Sequence, residues 1–234
     1  MKLPLLGTLL AGGLAALDAT PVAQTLASQP LVTATLLGIV WGDWATAMAV
    51  GTVLQILAAS TLPIGARTPE DYAIGGVAGA GAALLIASRA PFEHVHQAAS
   101  LVGVMTGMVA ATAGMPLIRW QRRHNEGLAR WCEAELRAGR EGALGQAQGA
   151  AIALTFALGL ASCALWLGAA NVLAPWVERE SLPLAGAWHL LQPLWLGFGF
   201  AQLLHAFVQR RLERAGVFAA ALVGAWLVIV AGAP

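Results

Sequence analysis

The stretch LLGIVWGDWATAMAVGTVLQILAAS (residues 36–60) contains one charged side chain, Asp43, in otherwise apolar sequence. No other Asp, Glu, Lys or Arg occurs anywhere in residues 19–66. A charge at the centre of a bilayer costs about 2.5–3.5 kcal/mol on insertion scales, so such a residue usually faces a cavity or a partner. Asp43 is therefore the first candidate for a functional residue.

The composition indicates an integral membrane protein. Of the 234 residues, 58% are hydrophobic and only 11% are charged, and the mean hydropathy is +0.70. An average soluble domain carries about 25% charged residues, so this chain has too few charges to cover a soluble fold. The net charge of +1, without a basic arm or basic patch, argues against a nucleic-acid partner.

Stretches that are nearly free of charge divide the chain into membrane segments. Hydrocarbon admits only helices and closed barrels, and a spanning helix needs about 20 apolar residues. The first run is interpreted as a retained span rather than a signal peptide, because cleavage would discard a needed helix. We predict an all-α, multi-span helical bundle that forms a single polytopic domain over residues 1–234. The runs are residues 3–17, 19–42, 44–66, 72–88, 97–118, 142–177, 181–209 and 215–234.

Two of these runs carry helix breakers. The run 19–42 contains Pro21 and Pro30, and the run 44–66 leads into the sequence TLPIGARTPED (residues 61–71). Irregular backbone at membrane depth is tolerated only where protein covers it or where it lines a cavity, and in transporters it often marks the binding site. The N-terminal spans (residues 1–118) are therefore predicted to contain broken or re-entrant segments within residues 19–71.

Arginines set the predicted orientation. The positive-inside rule places the arginine-rich residues 119–146 and the turn at 67–71 in the cytoplasm, and the sequence PFEHVH (91–96) outside. Helical spacing of apolar residues and i,i+4 Glu–Arg pairs predict an amphipathic helix that lies along the membrane surface, before the C-terminal spans (147–234). This segment is either a solvated connector or a docking surface for a cytoplasmic partner.

Four polar residues of the broken segments are candidates for binding a polar solute. Asp43 either caps a helix after a break at Gly42, where free N–H groups stabilise the carboxylate, or binds the solute directly. Gln55 adds a neutral donor and acceptor to the same run. Glu70 and Asp71 form either a helix N-cap with an acidic first turn or a pair of solute-facing carboxylates.

Histidines give weaker indications. His94 and His96 have an H-x-H spacing, but no second ligand cluster supports a metal site, so we expect a solvated loop. His189, with Gln192 one turn later, is a candidate to face a polar cavity, whereas His205 lies towards the cytoplasmic interface. Nucleophile motifs, P-loops and dinucleotide fingerprints are absent from the sequence, which therefore predicts neither a catalytic site nor a cofactor.

The sequence QPLVTATLLGIVWGDWATAMAVGTVLQ, followed by IGARTPED, resembles the N-terminal signature of the membrane subunit IIC of mannose-type phosphotransferase permeases, the mannose/fructose/sorbose family. That signature has a basic residue and Pro-Leu, then Gly-x-x-x-Gly-Asp, Gly-x-x-x-Glu, and Gly-Ala with Pro and Asp. The segment LAGAWHLLQPLWLGFGFAQLL resembles the late Gly-rich part of the family more loosely. The matching residues are Pro30, Gly38, Gly42, Asp43, Gly51, Gly65, Ala66, Pro69 and Asp71.

The resemblance implies a sugar-translocating subunit of a phosphoenolpyruvate-dependent phosphotransferase system in the bacterial cytoplasmic (inner) membrane. It implies a sister membrane subunit, IID, and cytoplasmic subunits IIA and IIB, which relay phosphate through histidines and phosphorylate the sugar. On this interpretation the chain binds and moves a hexose or amino sugar within a homo- or hetero-oligomer, and is not itself the phosphoryl-transfer enzyme. The expected sugar-binding residues are Asp43, Gln55, Glu70, Asp71 and His189.

The sequence departs from the family signature at two positions. Gln55 replaces the acidic residue of Gly-x-x-x-Glu, and Gln29 replaces the basic residue before Pro30. An amide bonds hydroxyls in both directions, so sugar binding stays compatible with these changes. The alternatives are a degenerate relative that acts as a membrane scaffold or sensor and docks phosphotransferase proteins without transport, and an intramembrane enzyme using His189 and Asp43. The enzyme alternative lacks an oriented nucleophile or metal set.

Overall fold

The chain folds into helices throughout the part that the computed structural model describes: residues 2–22, 24–59, 68–89, 92, 94–208, 210, 212–213, 215–220 and 223. These residues contain no strand, which confirms the all-α prediction. Residues 215–220 are also helical. The seven main helices are α1 (Lys2–Ala19), α2 (Pro30–Trp41), α3 (Trp44–Ala59), α4 (Tyr72–Ala87), α5 (Val95–Arg137), α6 (Ala143–Arg179) and α7 (Ser181–Phe207).

Helices α2 and α3 form a tight antiparallel hairpin. Gly42 ends α2 in the left-handed conformation (φ +77°), which glycine adopts without strain. The two helices have 12 and 16 residues, or about 18 and 24 Å, so each is shorter than the ~30 Å hydrocarbon thickness. A Cβ atom on Gly51 would lie 2.5 Å from the Ala34 side chain, which shows how closely the arms pack. The predicted break is therefore the turn of a re-entrant hairpin.

Helix α4 lies at the centre of the bundle. Thirteen of its 16 residues are buried, and its sequence YAIGGVAGAGAALLIA is dominated by Gly and Ala. A Cβ atom on Gly79 would lie 2.8 Å from the Gly103 carbonyl oxygen, and one on Gly75 would lie 2.7 Å from the Gly107 carbonyl oxygen. Helices α4 and α5 therefore meet backbone to backbone, as small residues allow between helices in a membrane.

Among the described residues, α5 and α6 are the two helices that are long and apolar enough to cross a membrane by themselves. With 43 and 37 residues they measure about 64 and 55 Å, well beyond the hydrocarbon thickness. The predicted helicity of residues 119–137 is confirmed, but this segment continues the span of α5 instead of forming a separate surface helix. The boundaries predicted at residues 118 and 146 accordingly fall inside α5 and α6.

The arginine-rich turn of this helical hairpin is held by ion pairs. Arg137 Nη2 lies 2.6 Å from Glu133 Oε1, as the i,i+4 spacing predicts. Arg140 also pairs with Glu135, and this hydrogen bond lowers the pKa of the Glu135 carboxyl. The first pair lies within the last turns of α5, and the second ties the end of α5 to the turn before α6.

Helices α1 and α7 complete the bundle. Gly12 of α1 and Gly159 of α6 face each other so closely that a Cβ atom on Gly159 would lie 2.5 Å from the Gly12 carbonyl oxygen. A Cβ atom on Gly199 of α7 would lie 2.4 Å from Ile56 Cγ2 of α3. The C-terminal end of α1, the base of the α2–α3 hairpin and the start of α4 surround one space.

Candidate functional site

A polar cavity of about 380 Å³ opens at the base of the α2–α3 hairpin. Its walls come from the end of α1, the residues just before α2, the segment before α4, and one face each of α5 and α6. The volume lies in the range of about 300–1,000 Å³ that is typical of small-molecule sites. The polar residues that line it are Thr20, Ser28, Gln29, Glu70, Asp71, Tyr72, Gln121, Arg122, Asn125 and Thr155.

Glu70 and Asp71, two of the candidate sugar-binding residues, are both in the cavity wall. Asp71 Oδ1 accepts a hydrogen bond from the Ile74 N–H (3.2 Å), so Asp71 is also the N-cap of α4. Its own N–H donates to the Ala111 carbonyl oxygen (2.9 Å), and a Cβ atom on Gly114 would come within 2.6 Å of Asp71. The capping role is therefore confirmed, and the same residue is held firmly against α5 beside the cavity.

Gln55 reaches the cavity through Gln29. Its Nε2 donates to Gln29 Oε1 (2.8 Å), and its Oε1 accepts from the Leu31 N–H (3.2 Å), which belongs to the first turn of α2 and lacks a helical partner. Gln29, and not Gln55, lines the cavity. The two positions at which the sequence departs from the family signature are thus in direct contact and close the base of the hairpin.

Asp43 lies at the opposite end of the hairpin. The rise of α3 puts it about 18 Å from the level of Gln55. Its Oδ1 accepts from the Thr46 N–H (3.2 Å), and its Oδ2 lies 3.2 Å from His96 Nδ1, which also contacts Thr46 Oγ1 (2.7 Å). Asp43 therefore caps α3 and joins the hairpin tip to the start of α5. Asp43 therefore lies at the hairpin tip, away from Gln55 and Asp71, because the chain turns back at Gly42 instead of continuing.

His189 is also absent from the cavity. The packed face of α7 follows Ala185, Trp188 and Trp195, and the rings of the two tryptophans are 6.5 Å apart. His189 is one residue past Trp188 and is exposed on the outer face of the helix. The prediction that it faces the polar cavity is therefore not supported by its position. Glu93 and the side chain of His205 are outside the described residues.

The α5 and α6 wall of the cavity was missed by the sequence analysis. Gln121, Arg122 and Asn125 follow Gly114 on one face of α5, but they belong to the segment that was predicted to lie on the membrane surface. The available signal was the pair of uncharged amides, Gln121 and Asn125, at i,i+4 spacing in a segment rich in Arg and Glu. No group of three or more potential metal ligands lies within the described part of the chain.

Residues 5–230 match the family model described as the PTS system sorbose-specific IIC component, EII-Sor. The chain belongs to this family. It is therefore a membrane-embedded, sugar-translocating component of a phosphotransferase system, and the resemblance drawn from the hairpin sequence is confirmed. No curated protein matches the chain.

Several solved structures have a similar fold, among them two whose match covers nearly the whole chain. One, titled "Structure of membrane protein", has a TM-score of 0.68 and 15% identity, and the match covers 97% of this chain and 96% of that chain. The other is the cryo-EM structure of the mannose transporter ManYZ in complex with microcin E492, with a TM-score of 0.59, 14% identity and coverage of 97% and 95%. At these identities the matches establish the fold, which is that of a helical membrane protein.

Proposed function

We propose that the cavity at the base of the α2–α3 hairpin binds the sugar that this IIC component moves. The observation that carries the proposal is that Glu70, Asp71 and the Gln29 amide, which Gln55 holds, converge on one space of suitable volume. They come from two irregular segments that are distant in sequence, and both segments were predicted to carry the site. We further propose that the substrate is a hexose or an amino sugar.

The chemistry of this wall suits a hydroxyl-rich ligand. Carboxylates accept hydrogen bonds from hydroxyl or ammonium groups, and an amide both donates and accepts. Hydrogen bonds to charged groups contribute about 1.5–3 kcal/mol each, roughly twice the value of neutral ones. The two carboxylates in the cavity wall therefore favour ligands that carry several hydrogen-bond donors.

The cavity and the arginine-rich turn lie at the same end of the bundle, because Gln121 and Arg122 belong to both the cavity wall and the helical hairpin. The positive-inside rule makes this the cytoplasmic end of the bundle. In our proposal the site opens towards the cytoplasm of a bacterial cell, from its inner membrane. There IIA and IIB phosphorylate the sugar, and IID completes the membrane complex as a hetero-oligomer.

Uptake of labelled D-mannose and L-sorbose tests this proposal in cells that carry this chain with IID, IIA and IIB. Glu70→Gln and Asp71→Asn should each lower uptake at least about tenfold, the effect of losing one charge-assisted hydrogen bond. Asn is itself a good N-cap, so Asp71→Asn leaves the start of α4 intact. Asp43→Asn is the matched control, and its uptake should stay within about twofold of the wild type.

The opposite pattern, in which Asp43→Asn abolishes uptake and both cavity variants transport normally, would move the site to the hairpin tip.

A further inference from the structure

The amide contact at the base of the hairpin fixes the orientation of the Gln29 side chain. The backbone N–H of Leu31 can only donate, so the Gln55 atom 3.2 Å from it is the amide oxygen, Oε1. The other half of the same amide, Nε2, donates to Gln29, and the Gln29 atom that accepts this bond at 2.8 Å is therefore Oε1. One backbone donor thus orients two amides in succession.

This orientation leaves the Gln29 donor for the cavity. Gln29 lines the cavity and Gln55 does not, and the Gln29 oxygen already accepts from Gln55. Gln29 is half-buried, and within the described residues its Nε2 makes no hydrogen bond and is not fully buried. The amide atom that a ligand in the cavity can reach is therefore a donor, not an acceptor.

The Gln29 donor and the Asp71 carboxylate are close enough to contact one sugar. Pro30, which follows Gln29, packs on α4 at Gly76, where a Cβ atom would lie 2.7 Å from Pro30 Cα. Gly76 comes five residues after Asp71, which is a rise of about 7.5 Å along α4. This separation is comparable to the width of a single hexose with its hydroxyl groups. A sugar in this space meets acceptors on one side and a donor on the other.

We infer that Gln29 Nε2 donates a hydrogen bond to a hydroxyl oxygen of the bound sugar, and that Gln55 is a positioning residue that holds Gln29 in this orientation. The inference rests on the proposed function and narrows its substrate: the ring position that faces Gln29 carries a hydroxyl and not an amine. An ammonium group at that position has no lone pair to accept the bond, and its N–H groups would point at those of the amide. Amino sugars with the amine at this position are therefore rejected.

The test is equilibrium binding of sugar derivatives to the purified complex of this chain with IID. In the better bound of D-mannose and L-sorbose, each hydroxyl is replaced in turn by fluorine, which accepts weakly and cannot donate, by hydrogen, which does neither, and by an amine, which is protonated and only donates. At the hydroxyl that faces Gln29, hydrogen and the amine should each weaken wild-type binding by about tenfold, and fluorine by no more than about threefold. At hydroxyls that donate to the carboxylates, fluorine and hydrogen should each cost about tenfold.

Two variants exchange the cavity-facing donor for an acceptor by different routes. Gln29→Glu keeps one oxygen for the Gln55 amide and presents the other to the cavity. Gln55→Glu accepts from Gln29 Nε2, so the Gln29 oxygen turns towards the cavity. In both variants the amine derivative should bind about tenfold more tightly than to the wild type, and the fluorine derivative should bind about tenfold more weakly than the parent sugar. Gln146→Glu, at an exposed position of α6 outside the cavity wall, is the charge-matched control and should keep the wild-type order of derivatives.

The order of the derivatives separates a contact from a structural effect, because a merely structural role would weaken binding of all derivatives alike. An unchanged order in Gln29→Glu would overturn the contact, and an unchanged order in Gln55→Glu would overturn the positioning role. The proposed function stands in both cases when Asp71→Asn still weakens binding of the parent sugar by about tenfold. A wild-type complex that binds neither D-mannose nor L-sorbose would overturn both the inference and the proposed function.

Discussion

The contact between Gln29 and Gln55 predicts that a charge introduced at either position alone destabilises the protein, and that opposite charges at both positions restore its stability. Gln55→Glu keeps an acceptor for the Leu31 N–H but loses the N–H donor that bonds Gln29 Oε1 at 2.8 Å. The Gln29 amide must then turn its Nε2 towards the new carboxylate, which is a charge in a half-buried position with no cation beside it. Gln29→Arg alone removes the acceptor of the Gln55 amide and places a cation at position 29 against an amide, not a carboxylate, at position 55.

Each single substitution should therefore destabilise the protein by about 1–3 kcal/mol, the cost of leaving a buried polar group unsatisfied. The double variant Gln29→Arg/Gln55→Glu forms an ion pair with bidentate geometry at the same place and should recover most of that loss. The coupling energy should lie in the range of about 0.5–3 kcal/mol that contacting residues show.

The assay is denaturant unfolding of the purified chain in micelles, followed by tryptophan fluorescence, for the wild type, both single variants and the double variant. Gln29→Arg combined with Asp43→Asn provides a control, because Asp43 is at the other end of the hairpin and should contribute independently. Additivity of the Gln29 and Gln55 changes to within about 0.3–0.5 kcal/mol would refute the reasoning. It would mean that the amide contact does not hold the hairpin base together.

Three further predictions concern packing, the hairpin tip and the polar turn. Gly79→Ala should destabilise the protein by about 1–3 kcal/mol, because the added Cβ meets backbone atoms of α5. Gly168→Ala, whose Cβ enters open space, is the control and should be neutral or stabilising; thermal unfolding of both variants measures the difference. His96→Ala should cost no more than about 1 kcal/mol and should speed hydrogen exchange around Asp43, since the pair is partly exposed. Because the pKa of Glu135 is lowered in the folded state, its ionised carboxyl stabilises the protein fully above the unfolded-state pKa, and this stabilisation is lost as pH falls through the folded-state pKa. In Glu135→Gln the free energy of unfolding should therefore fall less steeply between neutral and low pH than in the wild type.

Local sequence signals located three helix boundaries in the first half of the fold. Pro30 marks the start of α2, Gly42 marks its end, and Asp71 marks the start of α4. Each of these signals acts through backbone geometry or a cap within three or four residues, so it can be read without knowing the fold. The charge-poor composition likewise predicted a helical membrane protein.

The grouping of the site residues could not be read in the same way. A helix break does not say whether the chain continues across the membrane or returns, and that choice decides whether Asp43 lies near Asp71 or at the far end. The lengths of α2 and α3 decide it here, because neither helix reaches across the hydrocarbon region. The contact between Gln29 and Gln55, 26 residues apart, depends on this return.

The wall formed by Gln121 and Asn125 was missed for a different reason. A polar, arginine-rich segment was predicted to lie on the membrane surface, whereas the structure makes it the continuation of α5 and turns one of its faces towards the cavity. An amphipathic helix has the same residue pattern whether its less polar face meets lipid or another helix. Only the packing against Thr155 of α6 identifies the second case.

The hairpin also explains why the motif residue Asp43 matches the family signature without lining the cavity. The Gly-Asp step needs a residue that tolerates positive φ, followed by a side chain that accepts an N–H from the next helix, and Gly42 and Asp43 meet these two needs. A signature that builds a turn of this kind fixes where the hairpin ends, and hence where its base lies. The match at Asp43 is therefore evidence for the architecture, whereas the evidence for sugar chemistry comes from the other end of the same hairpin, where Gln29 lies beside Glu70 and Asp71.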